Sequence, residues 1–290
     1  MTDLDTTGGS AHPDEVELNH TGSLAVAVLV GLAVALAARL GATALLVALA
    51  AVQALLAFAW VFGTRLPGRK GALVVAALAA AGADVAVSVW PHGRLGTLLA
   101  VLGLAVPAMF IHQLGRGAAR VRVVESLGGI GLLVLAEVAL PSLLQLRHEF
   151  GANGGHVAAG VVAAAAGALV VGYLVDLLAP TPRFDPEVPR GLLAVLASAG
   201  LGGSLGYLLL QSDRFTDFID GRGAFIGASV GALVALFAVC VAFIEHNVPM
   251  PDDSSRGAGF ARRIRPVLGV VMPLSLLAPV AFLLCLAIRA

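Results

Sequence analysis

Nine long apolar segments, parted by short charged loops, run from residue 24 to the end of the chain. They cover residues 24–40, 43–62, 71–90, 97–114, 127–146, 156–178, 190–211, 223–245 and 266–288. A helix needs about 20 apolar residues to cross the hydrocarbon core of a bilayer. Backbone polar groups find no water there, so only helices and closed barrels can span it. Barrel strands alternate in short stretches, whereas these runs are continuous. The expected fold class is therefore all-α: a polytopic transmembrane helix bundle of about nine spans with short loops. Composition agrees, since 12% of residues are charged where soluble domains carry roughly 25%. No stretch remains for a soluble domain of ordinary size, and no phosphate-binding Walker loop is present, which argues against ATP hydrolysis. A formal net charge of zero offers nothing to nucleic acid.

The first 22 residues carry Asp3, Asp5, Asp14, Glu15 and Glu17 and no Lys or Arg. Such a segment cannot bury a core, and it lacks the basic start of a signal peptide. The domain reading is a disordered acidic tail at 1–22 and a transmembrane domain at 23–290. With the amino terminus placed in the cytoplasm, 12 basic residues fall in cytoplasmic loops and 6 on the other side. The positive-inside rule then gives a cytoplasmic amino terminus and an external carboxyl terminus. Trp60 and Trp90 end spans and read as interfacial anchors. Asp176, Glu245 and Arg39 lie near span ends and read as solvated. Cys240 and Cys285 fall inside spans and read as small packing residues.

Two carboxylates lie deep in spans: Asp84 and Glu137. A charge at the bilayer centre costs about 2.5–3.5 kcal/mol on insertion scales, so such residues face a bundle interior or a wet cavity. At 1.5 Å rise per residue, Asp84 sits about 20 Å and Glu137 about 15 Å from the cytoplasmic end, close enough to share one cavity if their helices touch. Ala77, Ala80, Ala81, Asp84 and Ser88 recur on one helical face. Glu137 lies four residues before Pro141, whose missing N–H frees the Glu137 carbonyl, and Gln145 follows two turns on. Pro107, Pro273 and Pro279 similarly free the carbonyls of Gly103, Gly269 and Ser275. A carboxylate beside an unpaired carbonyl makes an oxygen cluster suited to a proton or small cation. The bland alternative is a neutral acid serving as a hydrogen-bond donor between helices.

His112, Arg116 and Arg120 recur every four residues after the fourth span. Were the helix to continue past Gly115 and Gly117, they would form a basic stripe for an anionic headgroup or a phosphate. Gly202 and Gly206, with Gly223, Gly227 and Gly231, form GxxxG patterns on the seventh and eighth spans. These predict close packing between the two spans, with a face for a homo-oligomer or a membrane partner protein as a further expectation. The loops 147–156 and 213–220 offer histidines and acids without a metal-ligand spacing, so no metal, cofactor or catalytic residue is assigned.

The segments Gly82-Ala-Asp-Val-Ala-Val-Ser-Val-Trp-Pro-His-Gly-Arg-Leu-Gly96 and His112-Gln-Leu-Gly-Arg-Gly resemble polytopic integral membrane proteins of actinobacteria. One Lys against 17 Arg, with abundant Ala, Gly and Val, suits a high-GC genome. The resemblance implies location and class and carries no activity. Functionally, the embedded acids and broken helices lead to an expectation of proton- or cation-coupled transport of a small or amphiphilic solute. The alternatives are a non-catalytic envelope-assembly partner and a membrane-bound lipid or envelope-precursor enzyme.

Overall fold

Each expected span is a helix. The computed structural model describes residues 13–92, 94–117, 122–179, 181–185, 188–210, 221–247 and 258–289. Among these, the helices are α1 (Pro13–Leu40), α2 (Ala42–Gly63), α3 (Arg69–Val89), α4 (Arg94–Gly115) and α5 (Val123–Ala139). They continue with α6 (Ser142–Glu149), α7 (Gly154–Leu178), α8 (Leu192–Leu210), α9 (Arg222–Asn247) and α10 (Ala258–Arg289). Among the described residues nine spans are long and apolar enough to cross a membrane, with α5 and α6 together making one of them, Val123–Glu149. The chain is a multi-pass membrane protein with an all-α bundle. Leu29, Leu32, Leu78, Leu99, Leu104 and Ile111 are each more than 60% exposed. A surface that apolar would drive aggregation in water and is at home against lipid tails.

Helix boundaries follow local chemistry. α1 takes in residues 13–22, inside the segment read as an acidic tail. Only Gly41 separates α1 from α2; its φ of 151° reverses the chain in one residue, a conformation glycine tolerates. Pro141 parts α5 from α6, since its ring removes a rung of the helical ladder. Between α7 and α8 the chain departs from helix: β1 (Arg183–Asp185) and β2 (Val188–Gly191) form an antiparallel hairpin, pairing Arg183 with Gly191 and Asp185 with Val188. The seventh span therefore starts at Leu192, not at Arg190.

The α8–α9 contact is the most extensive in the bundle and is built on the glycines. A Cβ on Gly227 would stand 2.7 Å from the Gly206 Cα, and one on Gly231 would stand 3.0 Å from the Ser198 carbonyl carbon. Gly202 meets Gly227 and Gly231, and Gly206 meets Gly223 and Gly227. Lipid tails are as apolar as leucine, so helices associate here through close van der Waals approach, which small residues permit. The predicted pairing of these spans is therefore present. It occupies all five glycines within one chain.

Two tryptophans read alike in the sequence but differ in the structure. Trp90, at the end of α3, is 59% exposed, as an interfacial anchor should be. Trp60 is 2% exposed, and its indole Nε1 donates to the Gly129 carbonyl of α5 at 2.9 Å. It is a core residue rather than an anchor, because a buried indole finds an acceptor across the helix interface. Fluorescence should separate them. In Trp60→Phe the remaining emission should be quenched by aqueous iodide; in Trp90→Phe it should resist quenching. Equal quenching in both variants would place Trp60 at the surface.

Candidate functional site

Three helices bring one polar cluster together. Asp84 comes from α3, Glu137 from the last turn of α5, and Gln53 from the middle of α2. Gln53 is the link. Its Nε2 donates to the Glu137 carbonyl at 3.0 Å, and Asp84 lies near enough to feel the same amide. That carbonyl is the one Pro141 frees, so the expected orphan has found a donor on a neighbouring helix. A carbonyl can only accept, which fixes the amide orientation: nitrogen toward Glu137 O, oxygen away.

The two carboxyls act on each other electrostatically, so their expected shared depth is a real proximity. Glu137 is fully enclosed and Gln53 is 2% exposed, while Asp84 is half-buried. Four buried side-chain oxygens have no hydrogen-bond partner: Gln53 Oε1, Asp84 Oδ1 and both carboxyl oxygens of Glu137. Among the described residues no salt bridge engages either acid. An unpaired buried polar atom costs about 1–3 kcal/mol, and an unpaired charge costs more. A cluster with four open acceptors can receive donors or positive charge.

The small-residue face expected around Asp84 is only partly interior. Ala80 is buried, but Ala77, Ala81 and Ser88 are exposed. α3 instead buries the face of Ala72, Ala76, Ala79 and Ala83, leaving Asp84 at its edge with Oδ1 turned inward. This makes Asp84 the accessible member of the pair and Glu137 the enclosed one. Gln145 lies further along α6, where its Nε2 donates to Thr97 Oγ1 of α4 at 3.1 Å. Gln53 escaped the sequence reading, although an isolated amide amid the aliphatic residues of a span was a signal for it.

The basic stripe does not form as one helical face. α4 stops at Gly115, and Gly117 and Arg122 take positive φ angles that turn the chain. Arg120 lies outside the described residues. Arg116 donates to Gln113 Oε1 at 2.9 Å, Gln113 Nε2 donates to Ser126 Oγ at 2.9 Å, and Ser126 Oγ donates to the Pro67 carbonyl at 3.1 Å. His112 lies against Gly68 and Gly71. These side chains tie the end of α4 to the start of α5 and to the α2–α3 turn. The loop 213–220 also lies outside the described residues. In the loop 147–156, Arg147 donates to the Ala38 carbonyl and His156 meets Arg39.

A second buried network corrects another reading. Asp176, expected to be solvated, is 6% exposed and pairs with Arg190, whose Nη1 donates to Oδ2 at 3.1 Å. The Gly191 N–H donates to the other oxygen at 3.0 Å. The Arg190 guanidinium sits 3.8 Å from the centroid of the Tyr173 ring, and Tyr173 Oη donates to the Gly269 carbonyl at 2.6 Å. That carbonyl is the one Pro273 frees. Glu245 is drawn in as well: Arg265 and Arg190 act on it, and its Oε1 is buried without a partner. The hairpin β1–β2 causes this, folding Arg190 back into the end of the bundle. Losing one member of a buried ion pair costs about 3–5 kcal/mol, so Asp176→Asn should lower the melting temperature sharply. In Asp176→Asn/Arg190→Gln the loss should fall short of the sum of the singles, as a thermal melt in detergent would show; additive losses would mean the two charges are not coupled.

Compared with known proteins, the chain matches no family model, no curated protein and no solved structure.

Proposed function

We propose that this multi-pass membrane protein is an ion-coupled carrier, in which Asp84, Glu137 and Gln53 hold a proton or small cation whose movement drives a small or amphiphilic solute. The observation that carries this reading is the pair of embedded carboxyls, with three unpaired buried oxygens between them, a fourth on Gln53, and no salt bridge to either acid among the described residues. The embedded acids cost stability, and a coupling site gives that cost a purpose. The break at Pro141 places the pair beside an interrupted helix, the arrangement carriers use for ion sites near the bilayer midplane. The half-buried Asp84 serves as the point of entry and Glu137 as the enclosed acceptor. We place the protein in a bacterial cytoplasmic membrane with its amino terminus inside, on the loop charges.

The assembly-partner reading drew on the glycine faces, and those are occupied within the chain. The enzyme reading drew on the basic stripe, and Arg116 is engaged in joining helices. The test compares lipids and exported metabolites of a deletion strain rescued by wild type or by Asp84→Asn/Glu137→Gln. A defined species should accumulate inside the deletion strain, and only wild type should clear it. Equal rescue by both would end the transport reading.

A further inference from the structure

We infer that Arg39, Arg147 and His156 form a binding site for a phosphate group, at the end of the bundle where α1 and α6 finish and α7 begins. The phosphate is that of an anionic phospholipid headgroup or of a free anion. The site is separate from the carboxyl pair and does not depend on the carrier reading.

Three helices deliver it. Arg39 lies in the last turn of α1, Arg147 in the last turn of α6 and His156 in the first turn of α7. Arg39 Nη1 meets His156 Nδ1, and Arg147 Nη1 donates to the carbonyl of Ala38, the residue before Arg39. The charged groups that act on His156 are these two arginines. Arg147 also crosses Gly155, where a Cβ would run into its guanidinium. From the far side, Arg289 secures the corner between α6 and α7. Its Nη1 donates to the Glu149 carbonyl at 3.0 Å, and its guanidinium carbon sits 4.6 Å from the centroid of the Phe150 ring. Arg147 is half-buried and Arg39 exposed, so the pair is open to the outside of the bundle.

Like charges set together repel unless an anion lies between them. Among the described residues no salt bridge engages Arg39 or Arg147, and none engages Glu149, the acid nearest to Arg147 in sequence. A guanidinium has five N–H donors and no acceptor. Arg147 spends one on Ala38 and Arg39 one on His156, which leaves most of both forks unspent among the described residues. Since arginine can only donate, His156 Nδ1 accepts and Nε2 carries the ring hydrogen. Planar forks of this kind match the oxygens of a phosphate. Depth points to the same ligand. The three residues lie close to the ends of the spans His20–Leu40, Val123–Glu149 and Gly151–Leu178, at the level where headgroup phosphates are found. Asp213, Asp217 and Asp220 belong to a loop outside the described residues, and the experiment addresses them directly.

The test uses the full-length protein in two preparations. After extraction from vesicles of equimolar phosphatidylglycerol and phosphatidylcholine, native mass spectrometry counts the lipids retained. In delipidated detergent, equilibrium dialysis measures binding of labelled inorganic phosphate. Wild type should retain phosphatidylglycerol over phosphatidylcholine, or bind inorganic phosphate saturably; the first result identifies a lipid headgroup and the second a free anion. Arg39→Gln should weaken that binding about tenfold, as one charge-assisted contact is lost. Arg69→Gln, at the opposite end of the bundle, should leave it unchanged. Gel filtration establishes that each variant is folded, and His156→Gln replaces Arg39→Gln if that variant is not. The inference fails if wild type shows neither form of binding, or if Arg39→Gln binds as wild type does. It fails if Arg69→Gln loses as much, since the effect would then be one of net charge. It fails too if binding appears only in Asp213→Asn/Asp217→Asn/Asp220→Asn, because the loop acids would then be the counter-ions of the arginines.

Discussion

Glu137→Gln is expected to abolish cargo movement and, at the same time, to raise the melting temperature of the protein. The two effects have one cause. Glu137 is fully enclosed, with both carboxyl oxygens unpaired. Replacing it by the neutral amide removes an ionisable group from a place where its charge costs about 2.5–3.5 kcal/mol on insertion scales. Asp84→Asn should act in the same direction with a smaller gain, since Asp84 is half-buried. Stabilisation with loss of activity is the mark of a site kept for function at the expense of stability. An acid that merely joined helices would behave oppositely, and its replacement would lower the melting temperature. Thermal melts followed by gel filtration, alongside the rescue assay, read both quantities on the same preparations.

The second large effect concerns α8 and α9. Gly227→Leu should yield no monodisperse folded protein. A Cβ alone at this position would lie 2.7 Å from the Gly206 Cα, and backbone cannot turn away as a side chain can. Overpacking a well-filled core costs about 1–3 kcal/mol, and here two helices must move apart to admit the side chain. Gly200→Ala is the control. It sits on the partner helix α8, with nothing within 4 Å of the added Cβ. Alanine in an open helical position is favoured over glycine by roughly 0.8–1.0 kcal/mol, so this variant should be as stable as wild type or more so. If Gly227→Leu folded normally, the α8–α9 approach would be looser than described.

The sequence disclosed the features that a single strong force controls. Spans are legible because each must cover the hydrocarbon core with apolar residues, whatever its neighbours do. The glycine contact is legible because few other residues let backbones approach so closely. The common depth of Asp84 and Glu137 follows from helix rise, and the freed Glu137 carbonyl from Pro141. Partners across helices were not legible. Gln53 has no local reason to matter until α2 is laid against α3 and α5. Trp60 and Trp90 both end spans, and only packing against α5 makes one of them core. Arg190 counts as a loop charge in sequence, yet the hairpin returns it to Asp176 and Tyr173. The His112–Arg116 stripe failed for a local reason in plain view: Gly115 and Gly117 stand where the helix would have to continue.

The most direct measurement is coupling itself. Purified protein would be placed in sealed vesicles with a pH-sensitive dye inside, and a gradient would be imposed of the species that the deletion strain accumulates. Wild type should move that species and shift the internal pH with it, and Glu137→Gln should do neither. If the species crosses equally well in Glu137→Gln, the buried carboxyl pair does not drive transport.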